Sequence, residues 1–403
     1  MYLKVKIHTQ ILIAIVLGAM VGLALGEKAE HLKIVGDMFI KLLKMIIIPL
    51  ILASMVAGII SLGDARRLGR IGLKTFVYYM ATTLLAVTVG LLLVNLIKPG
   101  VGVDMGAEAA VDMAGRETPS LGSIIKDIIP ENPIAAMAEN KVLSVIFLSL
   151  LLGIAISRIG EKARPLMALF ESFNAVMMKI TDWIMLLAPV GVFALIAYTI
   201  GTMGLSVLRP LAVYMLTVIL GLSIHAVITL PVLLSLFGKY SPLKFIRDMF
   251  SAVATAFSTA SSAATLPITM ECLRENTGVS NKVASFVLPL GATVNMDGTA
   301  LYEAVAAMFI AQAYGISLNI GQQLVIMLTA TLASIGAAAI PGAGLVTMVI
   351  VLKAVNLPEE GIGMILAVDR ILDMMRTAVN VWGDACGTTV VARLEGEELK
   401  VQL

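Results

Sequence analysis

The chain reads as an all-α polytopic membrane protein, and three observations carry that reading. Of 403 residues, 59% are hydrophobic and only 14% charged, with a mean hydropathy of +0.97. A soluble chain of this length needs far more polar surface. The apolar residues gather into stretches long enough to span a bilayer, and the basic residues sit in short clusters between them. Near the C-terminus, one polar stripe runs through a lipid-like helix.

In chain order, the predicted spans are 9–26, 34–62, 71–97, 142–159, 179–202 and 206–237. The N-terminus carries Lys4 and Lys6, as a signal peptide would. Ile11 to Leu25 lacks a small-residue cleavage site, so this segment is predicted to be a retained first span. Threading the six spans puts four basic clusters on one side: Lys4/Lys6, Arg66/Arg67/Arg70/Lys74, Arg158/Lys162/Arg164 and Lys239/Lys244/Arg247. Segment 98–141 falls on the other side. It holds Asp104, Glu108, Asp112, Glu117, Asp127, Glu131 and Glu139, and is predicted to be an external insertion with little chemistry. The positive-inside rule then makes both termini cytoplasmic.

From about 242 to 398, Ser, Thr, Gly, Pro, Asn and Asp interrupt the apolar runs. Non-helical backbone at membrane depth must be buried in protein or line a cavity. Two small-residue segments ending near a proline recur there: Thr255 to Pro267, and Ala333 to Gly344 around Pro341. A helix with Asn and Asp follows each, Asn295/Asp297 after the first and Asn380/Asp384 after the second. A pair of re-entrant hairpins in an inverted repeat has this form. Hairpin 1 is expected at 242–276, span 7 at 281–314, hairpin 2 at 318–356 and span 8 at 358–398.

The polar stripe consists of Asp369, Asp373, Arg376, Thr377, Asn380 and Asp384. From Asp373 the later members follow at 3, 4, 7 and 11 residues, one face of a helix. Ionisable groups at membrane depth cost roughly 2.5–3.5 kcal/mol each on insertion scales, and survive where a bundle interior or watery cavity uses them. The stripe therefore predicts a site for a charged solute and its ions. A structural ion pair between Arg376 and Asp373 is the plainer alternative. In Gly291-Ala292-Thr293-Val294-Asn295-Met296-Asp297-Gly298-Thr299, two glycines weaken the helix around Asn295. Unwinding there would free carbonyls that, with Asp oxygens, suit a monovalent cation. Helix–helix packing through small residues is the alternative.

Other classes fare worse. No basic tail serves nucleic acid, three scattered histidines make no metal centre, and Cys272 and Cys386, far apart in apolar or cytosol-facing surroundings, do not read as a disulfide framework. An intramembrane aspartyl protease could draw on Asp297, Asp369, Asp373 and Asp384. Its Gly-any-Gly-Asp signature is missing, since Val381 precedes Trp382-Gly383-Asp384. An ion channel lacks a continuous charged ring. The chain is read as no enzyme.

Four motifs together resemble the glutamate/aspartate transporter family, the dicarboxylate/amino acid:cation symporters, from Tyr78-Tyr79 through Glu395. They are Ser261 to Pro267, Asn295 to Thr299, Ile340 to Gly344, and Arg376 to Asp384. The resemblance implies eight transmembrane helices plus two hairpins in an elevator-type homotrimer. Residues 1–70 and 98–203 would form the scaffold, and 71–97 with 204–398 the transport domain. It implies a plasma or inner membrane location and sodium-driven import of L-aspartate or L-glutamate, with Na+ as cargo and no organic cofactor.

By the same resemblance, Arg376 would clamp the side-chain carboxylate and Asp373 the ammonium. Ser261, Ser262, Thr299, Thr377, Asn380 and Gly342 would complete the pocket. A guanidinium fork suits the carboxylate because it binds bidentately and stays charged when desolvated. Three sodium sites would follow: Asp384, Asn380, Gly291 and Asn295; Thr293, Met296, Ser334, Ile335 and Ala337; and Tyr79, Thr82, Thr83, Asn295 and Asp297. Without the family, Tyr79, Thr82 and Thr83 read as ordinary span residues bonding to their own helix. Glu303 aligns with the proton-coupled glutamate of the animal excitatory amino acid transporters, where archaeal sodium-only members carry Gln. It is predicted to carry a proton, or else to be a neutral hydrogen-bonding acid. Ala260, Met374 and Ala339 depart from the family pattern, which carries arginine at one or other of the first two positions and glycine at the third. The resemblance also admits a C4-dicarboxylate or neutral amino acid as cargo; Asp373 disfavours the former and Arg376 the latter.

Overall fold

In the computed structural model, residues 7–61, 65–103, 128–139, 141–204, 208–335 and 343–400 are described. Among them every regular element is helical. α1 (Ile7–Leu25) and α2 (Lys33–Ser61) are followed by α3 (Ala65–Ile97), α4 (Pro133–Ala138) and α5 (Val142–Ile159). Among the described residues, four segments are long and apolar enough to cross a membrane: Thr9–Ile60, Arg70–Ile97, Ser144–Leu186 and Leu208–Gly238. Their outer faces expose large apolar side chains such as Met20, Leu92, Leu96, Leu216 and Val227, as lipid contact requires.

The fifth predicted span starts earlier than hydropathy indicates. α6 (Arg164–Leu186) opens on Pro165 at its first turn and is amphipathic, so its polar half hides it from a hydropathy window. α7 (Ala188–Met203) continues it after Leu187, with Pro189 in its own first turn. α8 (Leu208–Ile224) runs on to Gly238 through two π turns, His225–Thr229 and Leu234–Gly238.

α9 (Pro242–Thr259) turns at Ala260, whose φ of 50° is left-handed, and α10 (Ser262–Cys272) packs back along it. Ser261 caps α10 by accepting from the amide of Ala264 at 3.2 Å. α11 (Asn281–Val294) is capped by Ser280, which accepts from Val283 N at 3.3 Å. α12 (Asp297–Ala313) follows after a break at Asn295 and Met296. α13 (Ile320–Ile335) and α14 (Ala343–Ala354) pack together, and α15 (Ile362–Leu394) closes the chain.

Two packing groups result. α1, α2, α5, α6 and α7 gather on one side, with α2 against each of α5, α6 and α7. α12 is the axis of the other: nearly all its residues are buried, among α3, α8, α13, α14 and α15. α15 lies beside α9, α11 and α12, so its polar stripe faces protein throughout.

The end of α15 is fastened to the start of α3. Glu395 accepts from Arg70 Nε at 3.0 Å and NH2 at 2.9 Å, and from Lys74 Nζ at 2.7 Å. These cations hold the Glu395 carboxyl down from 4.5 to about 2. A depressed carboxylate stabilises the fold above its unfolded value and loses that contribution as pH falls through the folded value. Glu395→Gln is therefore expected to melt earlier than the parent at pH 7 in detergent. The gap should shrink below pH 4.5 and close near pH 2. A constant gap over that range would show that the ionised carboxylate contributes nothing.

Candidate functional site

The site forms where the break between α11 and α12 meets the middle of α15. Asn295 (φ −99°, ψ 89°) and Met296 (φ −119°, ψ 58°) leave the helical ladder. Asp297, Gly298 and Thr299 then open α12, where amides lack intrahelical acceptors. Asn380 on α15 fills that need: its Oδ1 accepts from Gly298 N at 2.7 Å while its Nδ2 donates to Thr299 Oγ1 at 3.2 Å. The approach is close enough that a Cβ on Gly298 would lie 2.7 Å from the Arg376 carbonyl oxygen, so only glycine fits.

Arg376 is 1% exposed. It donates through NH1 to Asp369 Oδ1 at 2.9 Å and through Nε to Asp373 Oδ1 at 3.1 Å. Its Cζ lies 4.2 Å from the centre of the Tyr302 ring, whose hydroxyl donates to Asp369 at 2.7 Å. The start of α14 covers it, with Gly344 against the guanidinium. Arg370, six residues earlier on the same helix, donates to the other Asp373 oxygen at 3.2 Å. Four charges thus form a chain that sums to zero, buried where water does not compensate them.

Toward the end of α15 the site becomes anionic. Asp384 accepts from Asn295 Nδ2 at 3.0 Å, and the Tyr79 hydroxyl lies near it across Gly291. Asp297 accepts from Thr83 at 2.6 Å and Thr82 at 3.3 Å. His225 Nε2 stands 3.1 Å from its second oxygen. The π turn at His225 shifts the ladder locally, a feature common at functional sites. The adjacent Ala226 carbonyl accepts from Trp382 Nε1 at 3.0 Å. Glu303 is fully buried one turn beyond Thr299, where its Oε1 accepts from Thr347 on α14.

Of the residues singled out by sequence, Arg376, Asp373, Thr377, Asn380 and Thr299 converge within this buried region. Asn295, Asp384 and Gly291 lie together, as do Thr82, Thr83, Asn295 and Asp297. Tyr79 donates to the Val287 carbonyl and lies nearer Asp384 than its assigned group implies. The Thr293 hydroxyl bonds its own helix at Pro289 and Leu290, and Ser334 bonds Thr331 O. Met296 and Ile335 are buried. Ser261 caps α10 beside buried Ser262. Ala337 and Gly342 lie outside the described residues.

Sequence reasoning missed His225, Tyr302, Thr347 and Arg370. A lone histidine inside an apolar span, and a second arginine three residues before Asp373, were signals in plain view. Tyr302 and Thr347 carried none.

A polytopic helical bundle with paired guanidiniums and carboxylates beside a broken helix defines a membrane carrier of charged solutes rather than a lipid-packed structural protein. The profile of the sodium:dicarboxylate symporter family matches residues 7–394. The chain is 39% identical to the proton/glutamate-aspartate symporter of Escherichia coli K12, over 98% of its own length and 94% of that protein. It is 39% identical to human excitatory amino acid transporter 3, over 96% and 85%. A putative sodium-dependent excitatory amino acid transporter of Caenorhabditis elegans is 38% identical over 98% and 92%. The chain belongs to the sodium:dicarboxylate symporter family.

Proposed function

We propose that this protein is a multi-pass membrane symporter that accumulates an acidic amino acid, L-aspartate or L-glutamate, using a sodium gradient, with a proton as a further passenger. The carrying observation is Arg376: a desolvated fork held between Asp369 and Asp373 over Tyr302. A substrate carboxylate takes the fork in place of the aspartates, and its ammonium takes Asp373. One relative's name joins sodium with excitatory amino acids and another's joins a proton with glutamate and aspartate, and both support this reading.

The cations bind at Asp297 and Asp384, with Asn295, Asn380, Thr82, Thr83 and Tyr79 supplying neutral oxygens nearby. The backbone of Gly291 joins the Asp384 group, and Thr293 and Met296 form a further cation site with backbone oxygens near Ser334 and Ile335. Coupling follows from charge. Loaded with acid and cations together, the site is near neutral and can cross an apolar face; half-loaded, it carries exposed charge and cannot. The moving body is the α12-centred group with both helix pairs, sliding as an elevator against the α2-centred group, which trimerises. Both termini face the cytoplasm.

The test is radiolabelled aspartate uptake into proteoliposomes with and without an inward sodium gradient. Accumulation only with the gradient supports the reading; no cation-driven accumulation of any acidic amino acid ends it.

Glu303 carries the proton. It is fully buried, with one oxygen bonded by Thr347 and Oε2 without a partner. A carboxylate there would be costly as an anion. Glu303→Gln is expected to keep sodium-driven uptake while its rate loses dependence on pH between about 6 and 8, the range a proton passenger needs. A pH profile unchanged from the parent would remove Glu303 from the cycle.

A further inference from the structure

Lys44 sits on α2, within a segment long and apolar enough to cross a membrane. Its Nζ lies 2.5 Å from Oε2 of Glu359, which opens the short turn Glu359–Gly361 between α14 and α15. α2 belongs to one packing group, α14 and α15 to the other. Among the described residues, this is the one ion pair that joins the two groups. The contact is ionic without an aligned hydrogen bond, since Oε2 receives no directed donor. Glu359 has a second cation on its own side: Lys353 Nζ, near the end of α14, stands 3.8 Å from Oε1. The side chains of Lys44, Glu359 and Lys353 are 32%, 16% and 26% exposed, so solvent screens them only in part. Elsewhere the boundary is loose. Phe39 on α2, with Leu345 and Leu366 of the other group, lines a cavity of about 380 Å³, a void that interlocked packing would not leave.

We infer that Lys44 and Glu359 form a releasable bridge that holds the α12-centred group in the position seen here, and that Lys353 takes over Glu359 when the groups part. This rests on the reading in which that group slides against the α2-centred one. A slide of even one helical turn, about 5.4 Å, takes Glu359 out of contact with Lys44. Glu359 keeps Lys353, which moves with it. Lys44 keeps no paired acid, and an ammonium on an apolar span without a counter-charge is costly. The cost of parting therefore falls on the α2 side, and it is moderated because the carboxylate is never stranded. Two cations, one fixed to each group, compete for one carboxylate. Their balance sets how long the carrier rests in this position. Without Lys353 the bridge would be harder to break, and without Lys44 nothing ionic would hold the groups together. The bridge touches neither the Arg376 cluster nor the Asp297 and Asp384 region, so it acts on the sliding step rather than on binding.

The test places nitroxide labels at Lys41→Cys on α2 and Glu360→Cys beside Glu359, both exposed positions, in the full chain in lipid nanodiscs. The native Cys272 and Cys386 are buried. Pulsed electron resonance then reports the fraction of molecules whose labels are close, which is the position seen here. The parent is expected to show a close and a distant population whose ratio moves with sodium and aspartate. Lys44→Gln and Glu359→Gln should each lower the close-to-distant ratio roughly two- to fivefold, the range of a partly screened ion pair. The double variant should go no further than either single, because both break the same contact. Lys353→Gln should raise the ratio, since Glu359 then has no cation to fall back on. A merely structural contact would not give opposite shifts for two lysine-to-glutamine changes. An unchanged ratio in Lys44→Gln, or single effects that add in the double variant, overturns the bridge and leaves the sliding motion standing. If a variant at Lys44 or Glu359 fails to assemble, Lys353→Gln decides alone, and a ratio that stays or falls there overturns the bridge. A parent with one distance under every loading condition overturns the sliding motion as well, which separates the two failures.

Discussion

Arg376→Leu is expected to abolish sodium-driven accumulation of aspartate and glutamate, the largest loss any single substitution in this chain should cause. Two effects combine. The fork proposed to receive the side-chain carboxylate disappears, and Asp369 and Asp373 lose their shared counter-charge in a buried site. Removing one partner of a buried pair costs about 3–5 kcal/mol, so the variant should also melt earlier in detergent. Arg376→Lys separates the effects. It restores a cation near the aspartates but not the planar bidentate geometry, so stability should largely return while affinity for the acid does not. Uptake kinetics and thermal unfolding of both variants check this together. Uptake retained in the leucine variant would mean that the acid binds elsewhere.

The second large effect is expected at Asp297. Asp297→Asn should raise the sodium concentration needed for half-maximal uptake by roughly tenfold or more, since a single charge-assisted contact to a desolvated ion is worth about that factor. The substitution keeps the size of the side chain. Thr83 and Thr82 can still donate to the remaining carbonyl, and their hydroxyls rotate, so the local fold survives. What goes is one of two buried carboxyl groups beside the broken helix, the other being Asp384. Substrate affinity at saturating sodium should change much less than the sodium dependence. A sodium curve that overlays the parent's would exclude Asp297 from the cation site, and its bonds to Thr82, Thr83 and His225 would then be packing alone.

Much of the site was legible because membrane burial makes polarity informative. Asp373, Arg376, Asn380 and Asp384 stand out on α15 since lipid would tolerate none of them, and their spacing fixes their common face. The weak point at Asn295 was likewise readable from Gly291 and Gly298 flanking it. The start of α6 was not, because its first half is amphipathic and hydropathy averages it away. Tyr302 could not be found either. On α12 it is one apolar-looking aromatic among many, and only the packing of α12 on α15 lays its ring over Arg376. His225 and Thr347 reach Asp297 and Glu303 across 72 and 44 residues of chain, separations that no local pattern encodes.

By itself the sequence determined the class: apolar spans, and which residues are too polar for lipid and so must face protein. Those are properties of single segments in a fixed solvent, and one segment at a time suffices to read them. Only the tertiary structure decided which polar group answers which. That Arg376 divides itself between two aspartates, that Arg370 holds the far side of Asp373, and that Asn380 caps a different helix are relations between segments. They arise because each buried donor or acceptor must find its partner in space, wherever the chain happens to supply it.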